Sequence, residues 1–165
     1  MKKIIKQLIP YIVIIIVVVL IRSFVVTPVI VVGDSMKPTL NEGQILILNK
    51  LDYRFNEIER YDIVVIKVGK SEIIKRVIGL PGETIEYRNN ILYIDGHEET
   101  SDYNFDTEDF TLKSICNCDK IPEDKYLVLG DNRQVSSDSR IIGLIDKKDI
   151  QGTTQISIWP IKKIK

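Results

Sequence analysis

From Leu8 to Val26 the chain reads LIPYIVIIIVVVLIRSFVV, nineteen residues in which Arg22 and Ser23 alone are clearly polar. At roughly 1.5 Å per residue, a helix of that length spans close to the ~30 Å hydrocarbon core of a bilayer. A buried β-strand is the competing form, because Ile and Val dominate. Ordinary strands, however, run about 5 to 6 residues, and no turn signal interrupts this stretch. A cleaved leader is the next competitor, but Ser-Phe-Val-Val-Thr-Pro-Val-Ile offers no Ala-x-Ala site, so residues 8–26 are expected to stay attached as a transmembrane helix.

Lys2, Lys3 and Lys6 precede the run. Positive charge favours the cytoplasmic side, which places residues 1–7 in the cytoplasm and residues 27–165 outside the cell. Arg22, near the far end, can snorkel to the outer headgroups without reversing that orientation. Residues 27–165 carry 19 bases against 23 acids, a formal charge of −4. That balance argues against nucleic acid as a partner and leaves membrane lipid to be contacted by apolar groups. With 44% hydrophobic and 28% charged residues, the chain is not a disordered tail.

Cys116 and Cys118 are the two cysteines, in the order Cys-Asn-Cys. Neighbouring side chains on an extended chain point to opposite faces, so a bridge between them would be strained and two free or partly exposed thiols are expected. One histidine, His97, leaves no ligand set for zinc, and no metal site is expected.

Beyond Thr27 short pieces rich in Ile, Val and Tyr alternate with Gly, Pro, Asn and Asp, which reads as a mainly β domain. Strands are expected at 29–32, 44–48, 62–68, 73–78, 84–87, 91–94, 126–129 and 155–158. Asn89-Asn90 and Asp95-Gly96 supply residues that tolerate positive φ and close tight turns. His97 follows the second turn and reads as an exposed hairpin residue. The acidic segment 98–120 reads as a surface excursion, partly helical.

Three stretches pack polar residues among glycines and prolines at strand ends. They are Gly33-Asp34-Ser35-Met36-Lys37-Pro38-Thr39-Leu40, Lys75-Arg76-Val77-Ile78-Gly79-Leu80-Pro81-Gly82, and Gly130-Asp131-Asn132-Arg133-Gln134-Val135-Ser136-Ser137-Asp138-Ser139-Arg140. Taken singly, the first is a turn, the second an edge strand with snorkelling cations, and the third a solvated loop. Yet adjacent strand residues face opposite sides, so one of Lys75 and Arg76 should point inward. With a single histidine at a hairpin tip, a Ser-His-Asp triad is hard to assemble, whereas a hydroxyl paired with lysine remains open. Such a lysine must be desolvated to be neutral, and Ile73, Ile74 and Val77 are placed to do that for Lys75.

Together the patterns S-M-x-P-T-L, K-R-V-I-G-L-P-G and G-D-N-R-x-x-S-x-D-S-R, in that order after one N-terminal anchor, resemble type I signal peptidases in their compact Gram-positive form. The last pattern alone fixes eight positions, a chance match on the order of one in 10¹⁰ per starting point. Arg60-Tyr61-Asp62-Ile63-Val64-Val65 and Trp159-Pro160 are weaker matches to the same family.

The resemblance implies a fold of coiled antiparallel sheets that acts as a membrane-bound serine endopeptidase on the signal peptides of exported preproteins, without cofactor or metal. It implies that Ser35 attacks the scissile carbonyl and Lys75 is the neutral general base. Ser136 would orient the Lys75 amine, Asp138 and Arg140 would pair beside the site, and Asp131 and Arg76 would support that network. The oxyanion hole would include the Ser35 N–H, with Gly33 standing where some relatives offer a serine hydroxyl. Val31, Val32, Met36, Ile73 and Ile74 would line the substrate cleft.

Two departures from the family pattern are Tyr61, where glycine is common, and Glu83, where aspartate is common. Two other readings stand beside this one. A self-cleaving repressor of the SOS type shares a Ser-Lys dyad but would carry a DNA-binding N-terminus. An anchored β-domain that only binds a partner would keep the three stretches as structural loops.

Overall fold

The computed structural model describes residues 2–50, 57–103 and 105–164, and within its first helix the side chains of residues 7–20. The side chains of Lys2, Lys3, Lys6 and Arg22, on which the orientation reading rests, lie outside the described residues.

The apolar run is helical. Helix α1 (Lys2–Phe24) begins before Leu8 and ends short of Val26, which opens strand β1 (Val26–Ile30). The helix stops where β-branched Val25, Val26 and Thr27 lead into Pro28, a residue that pushes its predecessor out of the helical region. From Leu8 to Leu20 every side chain is exposed. Among the described residues, no helix is long and apolar enough to cross a membrane.

The remainder is mainly β, as expected. The chain continues through β2 (Ile45–Asn49), β3 (Ile63–Val68), β4 (Ser71–Gly79), β5 (Ile85–Arg88), β6 (Ile91–Ile94), β7 (His97–Glu99) and β8 (Phe110–Thr111). Helix α2 (Leu112–Cys116), β9 (Lys125–Leu129), α3 (Ser139–Ile142), β10 (Ile145–Asp146), β11 (Ile150–Trp159) and β12 (Ile161–Lys163) complete it. The larger sheet has the order β1-β2-β11-β3-β4-β9-β10, with β12 paired to β11, and the smaller one has the order β7-β6-β5-β8. Every pair is antiparallel. Register shifts in β11 beside β2 and β3 let this one long strand bend while serving several neighbours, which coils the sheet. The hairpins turn at Asn89-Asn90 and Asp95-Gly96, all four with positive φ.

Strand β4 is central rather than an edge, pairing with β3 on one side and β9 on the other. Lys75 and Arg76 are therefore both buried, where the sequence pattern required only one to be. Register sets Arg76 opposite Leu129, so the second motif lies directly beside the start of the third at Gly130. Under the first motif, Val31, Met36, Leu40, Leu46, Leu48, Val65 and Ile74 form one apolar cluster.

Two sequence expectations are corrected. Segment 98–120 is more than a surface excursion. Thr107 and Leu112 are buried, and Tyr103 lies over the Arg76 guanidinium at 4.1 Å, because aromatic and apolar residues are interspersed among the acids. Cys116 and Cys118 are disulfide-bonded, not free. The chain there is not extended: α2 ends at Cys116, and Asn117 adopts φ 52°, ψ 33°. This left-handed turn brings the two Cα atoms within 5.2 Å.

Candidate active site

The first two motifs line one open groove, and the third packs against the serine loop beside it. Ser35 sits in the loop that follows β1, where Lys37 N–H donates to the Asp34 carbonyl and Leu40 N–H to the Met36 carbonyl. Met36 and Leu40, buried below, hold that loop down and leave Ser35 partly accessible. Gly33 adopts φ +80°, a conformation that favours glycine, just before the turn. Lys75 comes from β4, and its Nζ lies 2.8 Å from Ser35 Oγ across 40 residues of sequence. The Lys75 residue is only 3% exposed. Burial pulls its pKa below the ordinary lysine value, opposed by the negative charges of Asp138 and Asp131. That opposition is limited because each carboxylate is already held by an arginine.

Arg76 points the other way. Its guanidinium forks onto Asp131 with Nε–Oδ1 2.8 Å and Nη2–Oδ2 2.7 Å, both side chains being fully buried. It also donates to the Tyr61 carbonyl at 2.9 Å and to Thr39 Oγ1 at 3.4 Å, which joins the first and second motifs. Tyr61 has φ 72°, the physical reason that glycine suits this position. Its ring packs on Tyr103 at 4.8 Å between centroids, and its hydroxyl donates to Glu99. Glu83 accepts from Arg60 Nη1 at 3.0 Å and from the Leu80 N–H at 2.7 Å.

Asp138 and Arg140 form the expected pair, forked at 2.9 Å for both contacts. Burial pushes the Asp138 carboxyl up, but the Arg140 guanidinium and the Gly130 N–H outweigh it and hold it below the usual carboxylate range. Asp138 also caps α3 through the Arg140 N–H. The expected bond from Ser136 to the Lys75 amine is not made. Ser136 Oγ is buried with no hydrogen-bond partner, although Asp138 lies beside it. The Ser136 side chain instead fills the space over Gly130, where a Cβ would collide with Ser136 and with the Ser35 carbonyl oxygen.

Val31, Val32, Met36, Ile73 and Ile74 all line a groove of about 490 Å³ that ends at Ser35 and Lys75 and runs back along β1 to Thr27. Val31, Met36 and Ile74 form its buried floor, and Val32 projects outward. Gly33 borders the groove, its N–H directed at Glu42 Oε1 at 3.4 Å.

Sequence reasoning missed two residues of the third motif. The Asn132 N–H donates to the Ser35 carbonyl at 3.0 Å and its Nδ2 to the Asp34 carbonyl at 3.2 Å, clamping the serine loop. Arg133 is buried without a carboxylate partner among the described residues. It donates to the Gly130 carbonyl, the Tyr87 hydroxyl, Thr107 Oγ1 and the Tyr103 carbonyl, tying the loop to the smaller sheet. An arginine in a loop that follows a fully apolar strand was the available signal.

Known proteins are similar to this chain in sequence and fold. The family profile described as signal peptidase, peptidase S26, matches residues 2–159. Signal peptidase IB of Staphylococcus aureus (strain COL) is 36% identical over 179 aligned residues, covering 99% of this chain and 94% of that protein. Signal peptidase I of Bacillus caldolyticus is 40% identical over 165 residues, covering 93% and 91%. A crystal structure of a signal peptidase I from Enterococcus faecalis V583 superposes with a TM-score of 0.55 at 37% identity, over 59% of this chain and 97% of that one. With sequence similarity along nearly the whole length and three motifs gathered around Ser35 and Lys75, the chain belongs to the signal peptidase family, peptidase S26.

Proposed function

We propose that this chain is a membrane-bound serine endopeptidase that removes N-terminal signal peptides from exported preproteins, with Ser35 as nucleophile and Lys75 as general base. The observation that carries this reading is the 2.8 Å approach of the Lys75 amine to Ser35 Oγ in a buried setting that disfavours the ammonium. A neutral amine takes the Ser35 proton as Oγ attacks the scissile carbonyl, and the resulting oxyanion is met by backbone N–H groups including that of Ser35. The lysinium then returns its proton to the departing amine. A water molecule, deprotonated by the same lysine, next releases the acyl group from Ser35.

Ser136, Asp138, Arg140, Asp131 and Arg76 act as positioning groups in this reading, and Gly33 borders the oxyanion hole. An extended peptide along β1 and β4 would place its side chains against Val31, Val32, Met36, Ile73 and Ile74. Residues 8–26 are proposed as the anchor, with residues 1–7 cytoplasmic and 27–165 outside. Support comes from the unbroken apolar run and from a helix whose described apolar side chains all lack a protein partner surface.

The test uses the full chain in detergent with a purified preprotein. Wild type should release the shortened product, and Ser35→Ala should reduce the rate at least about 10³-fold. Equal processing by both would reject the catalytic reading in favour of a binding domain.

A further inference from the structure

A second cavity of about 470 Å³ also opens at the dyad. It shares Val32, Gly33, Ser35, Ile73 and Lys75 with the groove already described and adds Asp34, Glu42, Val135 and Ser137. Ser35 and Lys75 thus stand at the junction of two troughs. The first runs along β1 to Thr27, the second residue of the strand that α1 feeds. A substrate held by a membrane-embedded leader must approach from the α1 side, so its leader portion occupies the first trough. The portion beyond the scissile bond then leaves over the second.

Two acids line that second trough, and among the described residues one of them is without an ion-pair partner. Asp34 is paired with Lys37 at 2.9 Å, and Lys75 is the neutral base of the proposed mechanism. Among the described residues Glu42 has no cationic partner, and its carboxylate accepts only a long bond from the Gly33 N–H. The outward-facing apolar part of its lining is Val135, 63% exposed, and Val32, 81% exposed. A carboxylate beside apolar walls favours a cationic side chain with an aliphatic stem, and it opposes an acidic one.

We propose that this second cavity receives the first residues of the mature chain, and that Glu42 biases them toward basic and against acidic side chains. The proposal rests on the signal-peptidase reading given above.

The test compares matched peptide substrates that differ only in Lys or Glu at the second residue after the cut, with a control pair varied at the second residue before it. Wild type should favour the Lys peptide about two- to five-fold in kcat/KM at low salt, less at high salt. Glu42→Gln keeps the acceptor for Gly33 and should flatten the ratio. Val135→Glu, at an exposed position of the same lining, should raise it. An unchanged ratio in all three proteins, or a response confined to the control pair, would overturn the proposal while leaving the peptidase reading intact. Cleavage by Ser35→Ala at the wild-type rate would instead overturn the peptidase reading itself.

Discussion

Lys75 and Arg76 are consecutive residues of β4, both buried, and they serve opposite faces of one sheet: the amine meets Ser35 and the guanidinium meets Asp131. The alternation of a strand keeps the two cations apart, and the Arg76 charge is matched by a carboxylate on its own side. Lys75 is left as a buried amine with no acid bonded to it among the described residues.

Activity should therefore rise with pH along a limb below a free lysine's pKa, because burial lowers the pKa of Lys75 and the base works when neutral. The pH profile of kcat/KM measures this. Lys75→Arg keeps the charge but does not deprotonate at accessible pH, and it should lose activity by about 10³-fold or more.

The same burial makes Lys75 a destabilising group at neutral pH. Its folded pKa is depressed, so the unfolded state binds more protons and stability rises with pH until the unfolded amine also deprotonates. Lys75→Met should be inactive yet melt a few degrees higher than wild type near pH 7, with the gap closing above pH ~10.5. Thermal unfolding by circular dichroism across that range is the measurement.

Arg76→Met would strand the Asp131 carboxylate in a fully buried position, at a cost of about 3–5 kcal/mol. The double variant Arg76→Met, Asp131→Leu should recover most of that loss, since neither charge is then left unpaired. Urea unfolding of the three proteins reports the coupling.

Asp138 behaves oppositely to Lys75. Its folded pKa lies below the unfolded value, so its stabilisation is complete above pH ~4 and fades as pH falls through the folded pKa. Asp138→Asn should destabilise the protein at pH 7 and converge with wild type in strong acid, as read from unfolding midpoints against pH.

Gly130→Ala should cut kcat at least about 10²-fold while KM moves little. Its Cβ would press on Ser136 and the Ser35 carbonyl oxygen, shifting the nucleophile rather than the substrate groove. A steady-state analysis with an unchanged circular dichroism spectrum separates displacement from unfolding.

The candidate site was legible because its residues cluster in short motifs that resemble a known family: Ser35, Lys75, Asp131, Asp138 and Arg140 were named on that resemblance. The strands were legible wherever apolar runs met turn residues, as at Asn89-Asn90 and Asp95-Gly96. What escaped depended on long-range pairing. No local pattern says that β4 is central, so the burial of both Lys75 and Arg76 was not visible. The backbone clamp from Asn132 to Ser35 spans 97 residues and uses a carbonyl that every residue has. Tyr103 and Thr107 lie in an acidic segment whose composition resembles solvated loop, and only the fold turns them toward Arg76 and Arg133.

Cys116 and Cys118 close a covalent ring around one left-handed residue, Asn117. Such a pair persists oxidised outside the cell and is kept as two thiols in the cytosol. The ring therefore records the compartment in which the molecule matured. Chain that has been exported should resist a thiol-alkylating reagent until a reductant is added, and chain held back in the cytosol should react at once. Alkylation before and after reduction thus sorts the two populations from the natural sequence, with no fusion or tag.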